Sequence, residues 1–339
     1  MTEPRGNPLL IGHATAEATL ADAMRSGRMH HAWLITGPAG IGKATLAYRF
    51  ARRLLAGVAP GATLALDADH PVFHRVAAGS HADLLTVERE WDPKKRRMRG
   101  EIVVDDVRRI SDFLRLTPAE GGWRVVVLDG AEELNHVAAN ALLKVLEEPP
   151  ERAVLLLVCA AAGRLLPTIR SRCRRLRLAP LAEPDLLHLL GILLPDLDAD
   201  RLGRVAGLAE GSPGRALQLA AAGAVGTSDT VDAVINAIPG LDAAGATLRA
   251  HAVADALGRD EDAFSTFMDL LRAAVATAVR DAARGRADAD QTKLLGTRPI
   301  ADWVDVWHAL ARLQDETETA HLDRRQAIVT SLRSVAGAN

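Results

Sequence analysis

Apolar runs alternate with amphipathic stretches along the first half of the chain. His31–Gly37 (HAWLITG) is a short apolar run closed by glycine, the pattern of a buried parallel strand. The loop GPAGIGK follows, then ATLAYRFARRLLAG, whose helical period stops at Gly57. Val58–Gly79, rich in Ala, Gly, Pro, Asp and His, reads as a loop-heavy insertion. Leu84–Glu88 predicts a second strand, and Trp91–Gly100 (WDPKKRRMRG) a charged turn or hairpin. Val103, Val107, Ile110 and Leu114 recur at helical spacing and share one face of a helix over 103–116. Val125–Asp129 is an apolar run ending in an acid, and Ala138–Leu146 a helix stopped by Pro149 and Pro150. Ala153–Ala160 and Arg175–Leu178 read as further strands. Strands alternating with helices predict a parallel α/β sheet with helices on both faces.

Beyond Pro180 the strand pattern stops. Short helices with turns at Pro195 and at GSPG (Gly211–Gly214) fill 184–219, and a small-residue linker is expected near Ala220–Ser228. The remainder is helical: Phe264, Phe267, Leu271, Val275 and Ala278 lie on one face, and Trp303, Trp307 and Leu310 on another. The expected architecture is therefore an α/β domain over 1–180, a small helical lid over 181–225 and an all-α domain over 226–339.

Composition narrows the class. Aromatics are only 3% of the chain, so the core must be built from Leu, Val, Ile and Ala. A net charge of −2 argues against a strongly basic nucleic-acid binder, and any DNA contact is expected to be local or shared with partners. Lys94, Lys95, Arg96, Arg97 and Arg99 are read first as a solvated hairpin tip and second as phosphate contacts. Cys159 and Cys173 form neither a disulfide framework nor a CxxC pair. The start MTEPRGNPLL lacks a basic region followed by an apolar run, and the run Ala153–Ala162 is short of the ~20 residues a membrane span needs. The expectation is a cytoplasmic chain with no membrane association.

Gly37-Pro-Ala-Gly40-Ile-Gly42-Lys43 matches the first seven positions of the phosphate loop GxxxxGK[ST]. The glycines let backbone N–H groups face phosphate oxygens, the next helix adds its positive end, and Lys43 reaches the outer phosphates. The eighth position should carry a hydroxyl for Mg²⁺, and here it is Ala44. Thr45 follows, but one helical step turns its side chain by ~100°. A second defect stands at the acid-tipped strand. Asp129 would sit near a metal, but the next residue, where a water-activating acid would be expected, is Gly130. Glu132 and Glu133 lie beyond the end of the strand. Metal binding and water activation are both struck, and phosphoryl transfer depends on positioning and electrostatics. One of the nearby acids compensating for the loss is the alternative.

Leu166–Cys173 (LPTIRSRC) opens with Pro167 and Thr168, which suit the first turn of a helix. Arg170 and Arg172, two apart, point to different sides. The ordered set GPAGIGK, VVVLDGAEEL, NALLKVLEEPP (Asn140–Pro150) and LPTIRSRC resembles the AAA+ clamp-loader subunits of bacterial DNA polymerase III. The resemblance covers nearly the whole chain and is strongest over 28–180. It implies that Arg172 is an arginine finger acting in trans, stabilising charge on the γ-phosphate in an adjacent subunit. It also implies that GSPGRAL carries a sensor-like Arg215, and that the last helices form a collar for a hetero-oligomer. The implied partners are gamma/tau-like ATPases, a delta-like clamp opener and, through the complex, the sliding clamp and primed DNA. Ala44 and Gly130 point to the branch that turns over little ATP. An active motor subunit, or a regulatory module that binds ATP without turnover, are the alternatives. Many relatives carry a four-cysteine zinc module before the second strand; this chain has no cysteine there, and His70, His74 and His81 match no structural zinc pattern, so no zinc or other metal is expected.

Overall fold

The computed structural model describes residues 3–92, 97–120, 122–221, 224–237, 243–258, 261–320 and 322–337. The chain forms two compact units, Met1–Asp196 with Glu210–Arg215, and Leu197–Ala209 with Ala216–Asn339. The segment expected as a separate lid over 181–225 is thus divided between the two.

In chain order, the first unit contains α1 (Ala14–Arg25), β1 (Ala32–Thr36), α2 (Lys43–Leu55), α3 (Pro71–Ala77), β2 (Leu84–Val87), β3 (Trp91–Asp92), β4 (Arg97–Met98) and α4 (Val104–Arg115). It continues with β5 (Arg124–Asp129), α5 (His136–Glu147), β6 (Ala153–Cys159), α6 (Pro167–Arg172), β7 (Arg174–Arg177) and α7 (Glu183–Leu193). Five strands form one parallel sheet in the order β2-β5-β6-β1-β7. Its central strands read as continuous apolar runs because both faces are covered. Alternate residues feed two cores. Trp33, Ile35, Val125, Val127, Val154 and Leu156 pack with α1 and α2 on one face. Leu34, Val126, Leu128, Leu155 and Leu157 pack with α4, α5 and α6 on the other. The edge strand β7 carries Arg174, Arg175 and Arg177 around the buried Leu176, a composition that discourages edge-to-edge pairing.

β3 and β4 pair antiparallel with Trp91 opposite Met98, as the hairpin expectation required. Of the basic run, Lys94, Lys95 and Arg96 lie outside the described residues. The insertion expected to be loop-heavy holds α3, whose first turn is set by Pro71 and capped by His70, with Nδ1 accepting from the Val72 N–H at 3.1 Å. α1 occupies a stretch where the pattern predicts no element. Its apolar residues are mostly alanines, so a buried face (Ala16, Leu20, Ala21, Ala23) leaves a faint signature.

In the second unit lie α8 (Ala199–Ala209), most of α9 (Pro213–Ala221), α10 (Ala224–Ala237), α11 (Ala243–Leu257), α12 (Glu261–Ala283), α13 (Ala289–Leu295), α14 (Ile300–Ala320) and α15 (Arg324–Ala336). The linker expected near Ala220–Ser228 is instead largely the end of α9 and the start of α10. Small residues are compatible with either state, and alanine favours helix. α12 packs on α14, and α11 on α15. Phe264, Phe267, Leu271, Val275 and Ala278 are all buried on α12, together with Trp303 and Leu310 on α14. Trp303 donates to the Leu295 carbonyl at 3.2 Å, and Arg272 stacks on Trp307. No helix among the described residues is long and apolar enough to cross a membrane.

Candidate nucleotide-binding site

The phosphate-type loop joins β1 to α2. Gly42 adopts φ +99 and hands the chain to Lys43, the first residue of α2. The helix therefore aims its positive end and its unpaired N–H groups at the loop. His13, 6% exposed, pins the loop from below by donating from Nε2 to the Ile41 carbonyl at 2.7 Å. The GSPG turn crosses the loop from above. Ser212 Oγ donates to the Ala39 carbonyl at 3.0 Å, and the Gly214 N–H to the Gly40 carbonyl at 2.9 Å. Gly40 has φ +72, and a Cβ there would stand 2.5 Å from Ser212 Oγ and 3.2 Å from the Gly214 Cα. Only glycine permits this backbone-on-backbone approach.

Lys43 is 7% exposed and donates to the Pro38 carbonyl at 2.6 Å. Burial lowers its pKa, opposed first by the carboxylate of Glu132 and then by that of Asp129. Ala44 presents a methyl that packs against the core, and Thr45, 8% exposed, is turned into the domain. Asp129 stands at the tip of β5. Burial, reinforced by Glu88, pushes its carboxyl up to about 6, against the pull of Lys43.

After Asp129 the backbone turns sharply. Gly130 takes φ +76 and opens a 3-10 turn over Ala131–Glu133. A Cβ at residue 130 would lie 2.6 Å from Glu133 Oε2. The two acids expected to lie beyond the strand take opposite directions. Glu133 turns away and pairs with Arg89 Nε at 2.7 Å. Glu132 turns back, accepting from the Ala160 N–H at 2.7 Å at the end of β6, while its Oε2 is buried without a hydrogen-bond partner. Burial, then Glu132, pushes the adjacent Cys159 thiol up to about 12. Of the two acids that the sequence leaves as candidates to compensate, Glu132 is thus the one the turn brings back to the end of β6, where its charge acts on Lys43. The left-handed glycine before it is the one local signal that could have shown this.

Arg172, the last residue of α6, is partly exposed. Its Nη2 meets Glu147 Oε1 at 2.7 Å and its Nη1 donates to the Thr168 carbonyl at 3.0 Å. Arg170 is half-buried on the same short helix. Arg215, on the GSPG side, lies 3.5 Å from Glu210 Oε2. Two of the three histidines of the 70–81 interval serve separate purposes. His70 caps α3, and His81 is buried, with its Nε2 3.8 Å from Glu120. Among the described residues no group of three or more His, Cys, Asp or Glu is arranged to hold a metal.

The profile of the family described as "DNA polymerase III, delta subunit" matches residues 12–182, half of the chain. The chain belongs to that family. The match takes in the phosphate loop, Asp129, Gly130 and Arg172; Arg215 lies beyond it. The DNA polymerase III subunit delta' of Pseudomonas aeruginosa is 42% identical over 183 residues, 54% of this chain and 53% of the relative. That of Escherichia coli is 35% identical over 210 residues, 59% of this chain and 57% of the relative. The DNA polymerase III subunit gamma of Buchnera aphidicola subsp. Schizaphis graminum is 28% identical over 220 residues, 64% of this chain and 58% of the relative. The chain spans little more than half the length of these curated relatives. Delta' and gamma subunits of DNA polymerase III are both among them, so the similarity does not choose between the two kinds. The parallel sheet, the glycine-rich loop after β1 and the helix that follows it lay out a P-loop α/β fold.

Proposed function

We propose that this chain is a delta-prime-like subunit of the DNA polymerase III clamp loader: it turns over little or no ATP itself and offers Arg172 to the ATP site of a neighbouring gamma/tau-like subunit while the sliding clamp is loaded on primed DNA. The observation that carries the reading is the pairing of Ala44 and Gly130 in one site. At the first, a methyl stands where Mg²⁺ needs a hydroxyl. At the second, the backbone is left-handed and no side chain is available to orient water. The phosphate cradle, by contrast, keeps its glycines, Lys43 and the α2 N-terminus, so it fits a nucleotide's phosphates better than it fits the metal. Nucleotide held without turnover is compatible with this role. A delta-like clamp opener would be the further partner, and the cytoplasm the place of work.

One observation favours a second reading, an ATP-hydrolysing motor subunit. Glu132 is turned back to the Ala160 N–H at the end of β6, its charge acts on Lys43, and it has a buried carboxylate oxygen without a hydrogen-bond partner. Such an acid is a candidate to orient water in place of residue 130. ATP binding and turnover by the purified chain, with Mg²⁺ and primed DNA, separate the two. Absent turnover supports the proposal. Turnover that disappears in Lys43→Ala refutes it and makes Glu132 the residue to remove next. In the assembled loader, Arg172→Ala should lower DNA-stimulated hydrolysis by on the order of tenfold or more with assembly intact.

A further inference from the structure

Arg172 is held twice within its own chain. α6 is anchored by Ile169 (0% exposed) and by Cys173 just after its last turn, both in the core cluster that includes α5. The guanidinium then bridges two elements. Nη1 reaches the Thr168 carbonyl one turn back on α6, and Nη2 reaches Glu147, the last residue of α5. A guanidinium carries five N–H donors in a rigid plane. One hydrogen from each terminal nitrogen is used here, which leaves Nε–H and one hydrogen on each terminal nitrogen to meet an anion. A long arginine side chain otherwise samples many rotamers, and the restriction must be met when an anion is bound.

We infer that Glu147 is a positioning residue for Arg172: with the Thr168 carbonyl it fixes the plane of the guanidinium, so that the side chain is already oriented when a neighbouring subunit's nucleotide phosphate meets it. This rests on the reading of Arg172 as a trans-acting arginine. Glu147 does not itself touch the phosphate; it acts through Arg172. The pair is partly exposed and therefore weak, so the contact orients the arginine without withholding it.

The test is a double-mutant cycle in the reconstituted loader, reading kcat and KM for DNA-stimulated ATP hydrolysis. Glu147→Ala should lower kcat about three- to tenfold with KM for ATP unchanged, in line with the loss of pre-organisation of one long side chain. Glu147→Gln, whose amide oxygen still accepts the Nη2 bond, should fall less. In an Arg172→Ala background, Glu147→Ala should have no further effect. If Arg172→Ala leaves the rate unchanged, the reading of Arg172 itself is wrong. If Arg172→Ala lowers the rate and Glu147→Ala does not, the inference alone is overturned. A rate raised by Glu147→Ala would make the pair a restraint, and an equal drop in both backgrounds would make Glu147 act elsewhere; either result overturns positioning.

Discussion

Restoring the missing acid, Gly130→Glu, is the direct test of whether this site is one substitution away from activity. The structure says that it is not. Residue 130 has φ +76, and a residue with a Cβ in left-handed backbone costs about 1–2 kcal/mol. The new Cβ would stand 2.6 Å from Glu133 Oε2 and 3.1 Å from its Cδ. Glu133 must therefore leave Arg89, a part-exposed pair contributing about 0–1 kcal/mol. The added carboxylate also joins Asp129, Glu132 and Glu133, and their mutual repulsion acts in the same direction. The backbone and ion-pair contributions add to about 1–3 kcal/mol before the repulsion is counted, a substantial part of the 5–15 kcal/mol that typically separates folded from unfolded chains. Gly130→Ala carries the backbone and Cβ terms but not the charge, so stability should fall in the order wild type, Gly130→Ala, Gly130→Glu. Hydrogen exchange of the β5 and β6 amides reads this locally, alongside ATP turnover by the chain alone. Wild-type protection in Gly130→Glu, with Lys43-dependent turnover, would refute the reasoning.

Two further outcomes follow from buried charge. The Asp129 carboxyl is held at about 6 when folded, against 3.8 as its ordinary value. The native state thus keeps a proton between those values, and the stability it lends is complete near pH 4 and lost as pH rises through 6. Asp129→Asn should stabilise the chain at pH 8 by up to about 3 kcal/mol and bring almost nothing at pH 4; a gain independent of pH in parallel urea titrations would contradict it. Glu17 Oε1 accepts from Arg49 Nε at 2.6 Å and from the Leu64 N–H at 2.7 Å, with both side chains of the pair about nine-tenths buried. Glu17→Ala strips the buried Arg49 guanidinium of its carboxylate, leaving it only the Pro8 carbonyl at 2.6 Å, and leaves the Leu64 N–H unpaired; it should destabilise by about 3–5 kcal/mol, whereas Glu17→Gln, which keeps an acceptor, should lose less. An urea midpoint unchanged in Glu17→Ala would show that water replaces the carboxylate.

The sequence by itself determined the elements whose pattern is set by burial or by backbone chemistry. β1, β5 and β6 are legible as unbroken apolar runs because each strand is covered on both faces. The phosphate loop is legible because glycine spacing and a lysine at the mouth of a helix have few other uses. The absence of a hydroxyl at Ala44 and of an acid at Gly130 is a statement of composition and needs no coordinates. Where local preference is weak, the sequence ran out. α1 and the α9–α10 stretch are built from alanine and other small residues that fit helix and linker alike, so packing alone decided them. The direction of the two acids after Asp129 follows the turn that Gly130 opens at φ +76: Glu133 goes to Arg89 and Glu132 back to the Ala160 N–H. Gly40 is a loop glycine in the sequence, but only the fold shows Gly214 pressed against it from 174 positions along the chain, through the hydrogen bond between the two. The pairing of Arg172 with Glu147 is of the same kind. Two charged residues on different helices carry no mark of each other in the sequence, because what joins them is the packing of α6 on α5.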